Sequence, residues 1–239
     1  MTRPILSIVL PAYDEDANLP RAVRDAAAAA AALVPEYEVV VVDDGSRDRT
    51  PAVLAELGRE LGQRLVVVRH PINRGYGAAL RSGFASTRGE LVFYTDSDNQ
   101  FDLAELGEFL PLMADHDAVL GYRIDRKDPW TRRAASAVFN GLSSFAFGMS
   151  VRDLNCSFKL FRGDLLRGLP LESDDFFIDT ELAARIHRGG WRTVQRGVHH
   201  FPRRAGQSTV RARDVPRTIA AIARFWIRWR ARAAARVTA

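Results

Sequence analysis

Short β-branched runs closed by turn residues alternate with longer helical stretches through the first half of the chain, and that order leaves few folds open. The runs Ile5-Leu-Ser-Ile-Val-Leu10, Glu38-Val-Val-Val-Val-Asp43, Arg64-Leu-Val-Val-Val-Arg69, Glu90-Leu-Val-Phe-Tyr-Thr95 and Asp117-Ala-Val-Leu-Gly121 have the length and near-continuous apolar character of strands buried on both faces. The alanine-rich stretch after Asn18 and the segments 50–62, 75–87 and 103–114 are long enough for helices. Repeated βαβ order predicts an α/β fold, a mostly parallel sheet flanked by helices. Beyond residue 121 a helix is expected over 130–147, a strand over 157–161, a helix over 179–188 and a strand over 193–198, completing the acceptor side of a cleft.

Ligands of such sheets gather beyond the carboxyl ends of the strands. The polar clusters fall there: Pro11-Ala-Tyr13 with Glu15, Asp43-Asp-Gly-Ser46, Asn73-Arg-Gly-Tyr-Gly77 and Asp96-Ser-Asp98 each follow a predicted strand. Two carboxylates one residue apart, with Gln100 as a third oxygen, suit a hard cation and its bound diphosphate, although Asp96 and Asp98 also suit a helix cap. Asp43-Asp-Gly-Ser46 offers a carboxylate to a base or ribose, or simply turns the chain from strand to helix. Gly75-Tyr-Gly77 is neither a P-loop nor a dinucleotide fingerprint.

A length of 239 residues, 47% hydrophobic and 26% charged, suits a single compact domain, expected over 1–210. The single cysteine, Cys156, makes no internal disulfide, and the opening MTRPILSIVLPAY has no secretory leader pattern, so a reducing cytoplasmic compartment is expected. With no run of 18 or more apolar residues, the chain is expected to lie on a membrane rather than span it. The net charge of +5 is unevenly spread, for ten arginines and one acidic residue fall in 203–239. Residues 211–239 are expected to form a basic amphipathic helix, in which Ile219, Ile222, Phe225, Trp226 and Trp229 share a face between arginines. That face suits an anionic bilayer surface on the cytoplasmic side, and equally well the protein's own core or a partner chain. No nucleic-acid partner is expected, and the oligomeric state is left open.

The stretches LPAYDEDANLP, VVVVDDGSRDRT, NRGYGAALRSGF, LVFYTDSDNQFD, VLGYR, RDLNCSFKLFR and FIDTELAARIHRGGW, in this order, resemble the inverting family 2 glycosyltransferases of GT-A fold over residues 4–209. The dolichyl- or polyprenyl-phosphate mannose synthase group is the most similar. The resemblance implies a nucleotide-sugar donor such as GDP-mannose or UDP-glucose and a divalent metal, Mg2+ or Mn2+. Pro11, Tyr13, Glu15, Val42, Asp43, Asp44 and Ser97 would line the nucleotide site, and Asp96 would touch the ribose or donor sugar. Asp98 and Gln100 would ligate the metal. Arg123, Arg132 and Ser136 would bind an acceptor phosphate, with Asp96, Asp98 and Arg123 as the catalytic group, and Arg203 would contact the donor diphosphate. Two departures stand out: Thr209 replaces the family's usual lysine, and Ser157 replaces a glycine.

A lipid phosphate is already anionic near neutral pH and asks for arginines, whereas a hydroxyl acceptor asks for a general base. The sequence therefore predicts transfer of a sugar to a polyprenyl phosphate. The rival is a saccharide hydroxyl acceptor with Asp179 or Glu181 as base, though carboxylates at a helix start also serve its dipole. Nucleotidyl transfer would want a glycine-rich basic loop after Leu10, which is absent. A non-enzymatic membrane adaptor would leave the acidic crevice without purpose.

Overall fold

A computed structural model describes residues 4–124, 130–202 and 225–227, with the backbone alone for 130–135. The chain runs β1 (Leu6–Ala12), α1 (Leu19–Leu33), β2 (Tyr37–Asp43), α2 (Thr50–Leu61), β3 (Leu65–Arg69), α3 (Tyr76–Ser86), β4 (Leu91–Thr95) and β5 (Ala118–Ile124). Then follow α4 (Trp130–Phe147), β6 (Phe158–Arg162), α5 (Gly163–Arg167), α6 (Ile178–Arg188) and β7 (Thr193–His199). The seven strands form one sheet in the order β3-β2-β1-β4-β6-β5-β7. β1 pairs in parallel with β2 and β4, as do β2 with β3 and β5 with β7, while β6 runs antiparallel to both β4 and β5. The expected α/β sheet is thus formed.

Alternation along the buried strands divides the core between the two faces. Leu6, Ile8, Leu10, Val39, Val41 and Phe93 pack with α1 and α2, whereas Val9, Val40, Val92 and Tyr94 pack with α3 and α6. Both α1 and α2 open with a proline in the first turn, where the missing N–H is no loss. Along α1 the buried Ala22, Ala26, Ala27 and Ala30 recur at helical spacing, so the alanine run is an inward-facing stripe. Gly83 brings α3 close to the sheet: a Cβ there would stand 2.5 Å from Val9 Cγ1.

The segment 103–114 departs from expectation. It forms two 3-10 stretches, Leu103–Glu108 and Leu110–Ala114, in place of an α-helix. Asp102 caps the first, accepting from the Ala104 amide at 3.0 Å, while Gly107 weakens helical preference and Pro111 removes a backbone donor. Among the described residues no helix is long and apolar enough to cross a membrane. The proposed boundary at 210/211 and the tail helix lie outside the described residues except for Phe225–Ile227, which are helical.

Two buried groups in this frame give measurable expectations. Glu38, almost wholly buried, accepts from Ser7 Oγ at 2.6 Å, the Arg88 amide at 2.6 Å and Arg88 Nε at 2.9 Å, and Ser7 Oγ accepts from the Gly89 amide at 2.8 Å. Glu38→Ala leaves these donors without their acceptor, and chemical denaturation should show a loss of about 3 kcal/mol. Cys156 is fully buried, and burial, with the nearby Asp153 charge, pushes its thiol up to about 12. Since the thiolate is the reactive form, iodoacetamide at pH 8.5 should label Cys156 only after the chain is unfolded.

Candidate active site at the switch point of the sheet

Strand order reverses beside β1: the chain leaves toward β2 and β3, then returns to lay β4 on the other side. The carboxyl ends of β1 and β4 therefore frame a crevice. Ser97 Oγ, just past β4, donates to the Pro11 carbonyl at 2.9 Å, and the Asp44 amide donates to the Ala12 carbonyl at 2.9 Å. On the far wall Asp14, with φ of 52°, accepts from the Arg47 amide at 2.7 Å, and its own amide donates to Ser46 Oγ at 3.0 Å. The Glu15 amide donates to Thr50 Oγ1 at 3.0 Å, and the Glu15 carboxylate accepts from Asn18 Nδ2 at 2.6 Å. Pro11, Tyr13, Glu15, Val42 and Asp43 are thus gathered along the β1/β2 edge, where Pro11 stands in register with Val42 and Ala12 with Asp43.

The neighbouring aspartates Asp43 and Asp44 have separate surroundings. Asp43 Oδ1 accepts from the Ser46 amide at 2.9 Å. Its buried Oδ2 has Arg69 Nε at 3.2 Å but no hydrogen bond of good geometry among the described residues. Asp44 accepts from the amides of Arg74 at 2.9 Å and Gly75 at 2.8 Å and lies 2.6 Å from His70 Nδ1, whose Nε2 meets Ser82 Oγ at 2.9 Å. Asp44 therefore holds the glycine loop. Gly75 is required there by its φ of 100° and by the Asp174 carbonyl, 2.3 Å from where a Cβ would be.

At the end of β4, Asp96 is gripped from two elements. Tyr76 of α3 donates to Oδ1 at 2.9 Å and Ser157 donates to Oδ2 at 2.6 Å, so the residue replacing the family's glycine supplies a hydroxyl. Burial pushes the Asp96 carboxyl above the usual carboxylate range, the nearby Asp179 adds to this, and the two hydroxyls and Lys159 oppose it. Asp98 Oδ1 accepts from the Gln100 amide at 3.2 Å. Gln100 Nε2 donates to the Phe201 carbonyl at 2.9 Å, the Phe201 amide donates back to the Gln100 carbonyl at 2.8 Å, and Phe101 bridges His200. This clip draws the end of β7 against the Asp98 loop. Arg203, two residues beyond Phe201, lies outside the described residues.

Among the described residues no three or more His, Cys, Asp or Glu side chains cluster to hold a metal. Both Asp96 oxygens accept from hydroxyls, and Asp98 lies beside Gln100 just beyond the same strand. So sparse a donor set fits a hard cation that brings most of its oxygens from a substrate diphosphate.

Arg123, in β5, is held by Asp153: Nε donates to Oδ2 at 2.7 Å and Nη2 to Oδ1 at 2.8 Å. Arg132 and Ser136 stand one helical turn apart on α4, and the Arg132 side chain lies outside the described residues. Asp179, proposed as a base, is buried with its Oδ1 taken by the Tyr94 hydroxyl and by Lys159 Nζ at 2.5 Å. Lys159 also donates to the Leu154 carbonyl at 2.8 Å. Glu181 is fully buried and accepts from the amides of Glu172 at 3.0 Å and Ser173 at 2.8 Å and from Arg185 Nε at 2.7 Å. It anchors the loop ahead of α6.

Sequence reasoning passed over Lys159, Tyr76, Asp153 and His70. Lys159 alone had a signal: a lysine inside the apolar strand Phe158-Lys-Leu-Phe161 must find an anionic partner. In the tail, Phe225 is buried against Phe147 and Phe177, with ring centroids 5.6 and 5.2 Å away, and Trp226 Nε1 donates to the Ala146 carbonyl at 3.2 Å. These two aromatics, assigned to a membrane face in one reading of the sequence, are spent on the core.

The relationship to known proteins agrees with this geometry. An undecaprenyl-phosphate 4-deoxy-4-formamido-L-arabinose transferase of Edwardsiella ictaluri (strain 93-146) is 34% identical over 211 residues, covering 87% of this chain and 63% of its own length. Its namesake from Sodalis glossinidius (strain morsitans) is 35% identical over 173 residues, covering 70% of this chain and 52% of its own. The chain therefore spans roughly half to two thirds of the length of these relatives. In fold it is similar to glucosyl-3-phosphoglycerate synthase from Mycobacterium tuberculosis, solved with Mn2+, UDP-glucose and phosphoglyceric acid, with a TM-score of 0.69 at 21% identity over 92% of this chain and 79% of that one. The same synthase has been solved with Mg2+ and UDP. The family model described as glycosyl transferase family 2 matches residues 7–169, and the chain belongs to that family.

Proposed function

We propose that the chain transfers a sugar from a nucleoside-diphosphate sugar to a polyprenyl phosphate, with inversion, at the crevice between β1 and β4. The observation that carries this reading is the division of charge around the crevice. Asp96 and Asp98 stand at the donor edge, Arg123 is fixed as a planar fork on the acceptor side, and the two α6 carboxylates that the rival reading takes as bases are engaged inside the protein. An acceptor that arrives ionised needs no base, and the relatives named for undecaprenyl-phosphate transfer point to the same chemistry.

In this reading Pro11, Tyr13, Glu15, Val42 and Asp43 receive the nucleoside, with Ser97 tying β4 to that edge, and Asp44 contributes by fixing the glycine loop. Asp96, immobilised by Tyr76 and Ser157, orients the ribose or the donor sugar. Asp98 and Gln100 would hold Mg2+ or Mn2+, which supplies a counter-charge for the diphosphate when bound. Arg123, with Arg132 and Ser136, positions the acceptor phosphate, and Arg203 meets the donor diphosphate. A phosphate oxygen forms a bond to the anomeric carbon as the bond from that carbon to the diphosphate oxygen breaks. The electron pair departs with the nucleoside diphosphate, no proton needs to be removed, and the anomeric centre inverts. The work is performed on the cytoplasmic face of a membrane.

The test is transfer of label from GDP-mannose and UDP-glucose, in parallel, to a short-chain polyprenyl phosphate in detergent with Mg2+ or Mn2+ present. Lipid-extractable label is expected. Asp98→Ala and Arg123→Ala should each lower kcat/KM by about 100-fold or more, and Arg123→Ala retaining full activity would end the phosphate-acceptor assignment. The hydroxyl-acceptor alternative is separated by Lys159→Met/Asp179→Asn, which removes the buried ion pair as a unit and so avoids stranding a lone charge. Per folded molecule, this variant should retain transfer within about tenfold, whereas loss of a true base would cost about a thousandfold.

A further inference from the structure

We infer that Phe176 is a stacking platform for the sugar ring of the donor, an inference that rests on the nucleotide-sugar reading above and extends it to the sugar itself. The phenyl ring lies on Tyr76, with centroids 5.0 Å apart and planes 23° from parallel, and the Tyr76 hydroxyl donates to Asp96 at 2.9 Å. With one face on Tyr76, Phe176 remains 41% exposed, whereas its neighbour Phe177 is buried in the inner cluster with Phe147 and Phe225. The chain thus turns one of two consecutive aromatics inward and leaves the other at the rim of the crevice, one ring beyond the residue that grips Asp96.

The loop that carries Phe176 is fastened on both sides of it. Glu181 accepts from the Glu172 amide at 3.0 Å and the Ser173 amide at 2.8 Å, and Arg81 of α3 donates to the Glu172 carbonyl at 2.7 Å and to Asp174 Oδ1 at 2.8 Å. The Gly77 amide donates to the Asp174 carbonyl at 2.9 Å, and the Phe177 amide donates to Asp175 Oδ1 at 2.9 Å. The ring is therefore in place before a ligand arrives, and little ordering is left to be done on binding. A pyranose carries weakly positive C–H groups on its faces and hydroxyls around its edge. The C–H groups suit the electron-rich face of an aromatic ring, and the hydroxyls suit a carboxylate. Phe176 and the partly exposed Asp96, joined through Tyr76, offer these two surfaces together. In the reading above the nucleoside is received along the β1/β2 edge and the diphosphate at Asp98, which leaves the sugar as the part of the donor that this corner fits.

Dissociation constants of UDP, GDP, UDP-glucose and GDP-mannose, each measured by calorimetry on the full chain with Mn2+ present, separate the sugar from the nucleotide. Phe176→Ala should weaken the nucleotide sugar that the unaltered chain binds by about five- to tenfold and leave the matching nucleoside diphosphate unchanged. Phe176→Leu keeps an apolar cover on Tyr76 without an aromatic face, so it should resemble Phe176→Ala, while Phe176→Trp should restore binding. Unchanged affinity for the nucleoside diphosphate also reports that each variant is folded. Recovery of nucleotide-sugar affinity by leucine would overturn the inference, for the ring would then serve only to pack on Tyr76. So would an equal loss for nucleotide and nucleotide sugar in the leucine variant, or no loss for either. Nucleotide binding that persists in all variants upholds the donor reading whatever becomes of Phe176, whereas an unaltered chain that binds none of the four compounds would defeat that reading and this inference with it.

Discussion

A carboxylate taken out of water must find donors to replace it, and the fold buries Glu38, Asp43, Asp44, Asp153, Asp179 and Glu181. Each solution places a neighbouring element. Glu38 fastens the approach to β4 onto β1 and β2. Asp44 sets the loop that begins α3, and that helix delivers Tyr76 to Asp96. Asp179 and Lys159 join the start of α6 to β6, and Glu181 gathers the loop before it. Asp153 fixes the direction of Arg123. At the crevice Asp96 accepts, among the described residues, from two neutral hydroxyls, and burial and Asp179 work against its charge while the nearby Lys159 favours it. A ligand that brings cationic charge or further donors meets a site prepared for it.

The strands were legible because burial on both faces demands unbroken apolar runs, and the polar clusters because such runs must end somewhere. Those two signals also located the crevice. The segment 103–114 was misread because length and composition resemble a helix, while Pro111 and the Asp102 cap act on particular hydrogen bonds. The partners of Asp179 and Glu181 were not legible, since Lys159 and Tyr94 meet Asp179 only through the antiparallel pairing of β4 with β6. Pairing between strands far apart in sequence leaves no local trace. Phe225 was ambiguous for a similar reason: an amphipathic pattern states that a face is covered and says nothing of what covers it.

Ser157 shows how a departure from a family pattern gains meaning from its neighbours. A glycine at this position leaves one Asp96 oxygen without a side-chain hydroxyl, whereas serine supplies one at 2.6 Å. The carboxylate is then held from α3 and from the residue that leads into the antiparallel strand together, and its aim depends on the spacing between these elements.

β6 has a consequence for recombination within the family. It hydrogen-bonds to β4 on one edge and β5 on the other, so within the sheet β5 and β7 reach the donor-side strands only through it. Its residues accordingly answer to both halves: Phe158 packs on Phe93, and Lys159 answers an acid from α6. A chimera exchanging the acceptor half of one member for another would fail if its seam fell between β4 and β6 with mismatched partners. A seam that carries β6 together with α6 transplants the lysine with its counter-ion, leaving only the apolar contacts with β4 to be matched.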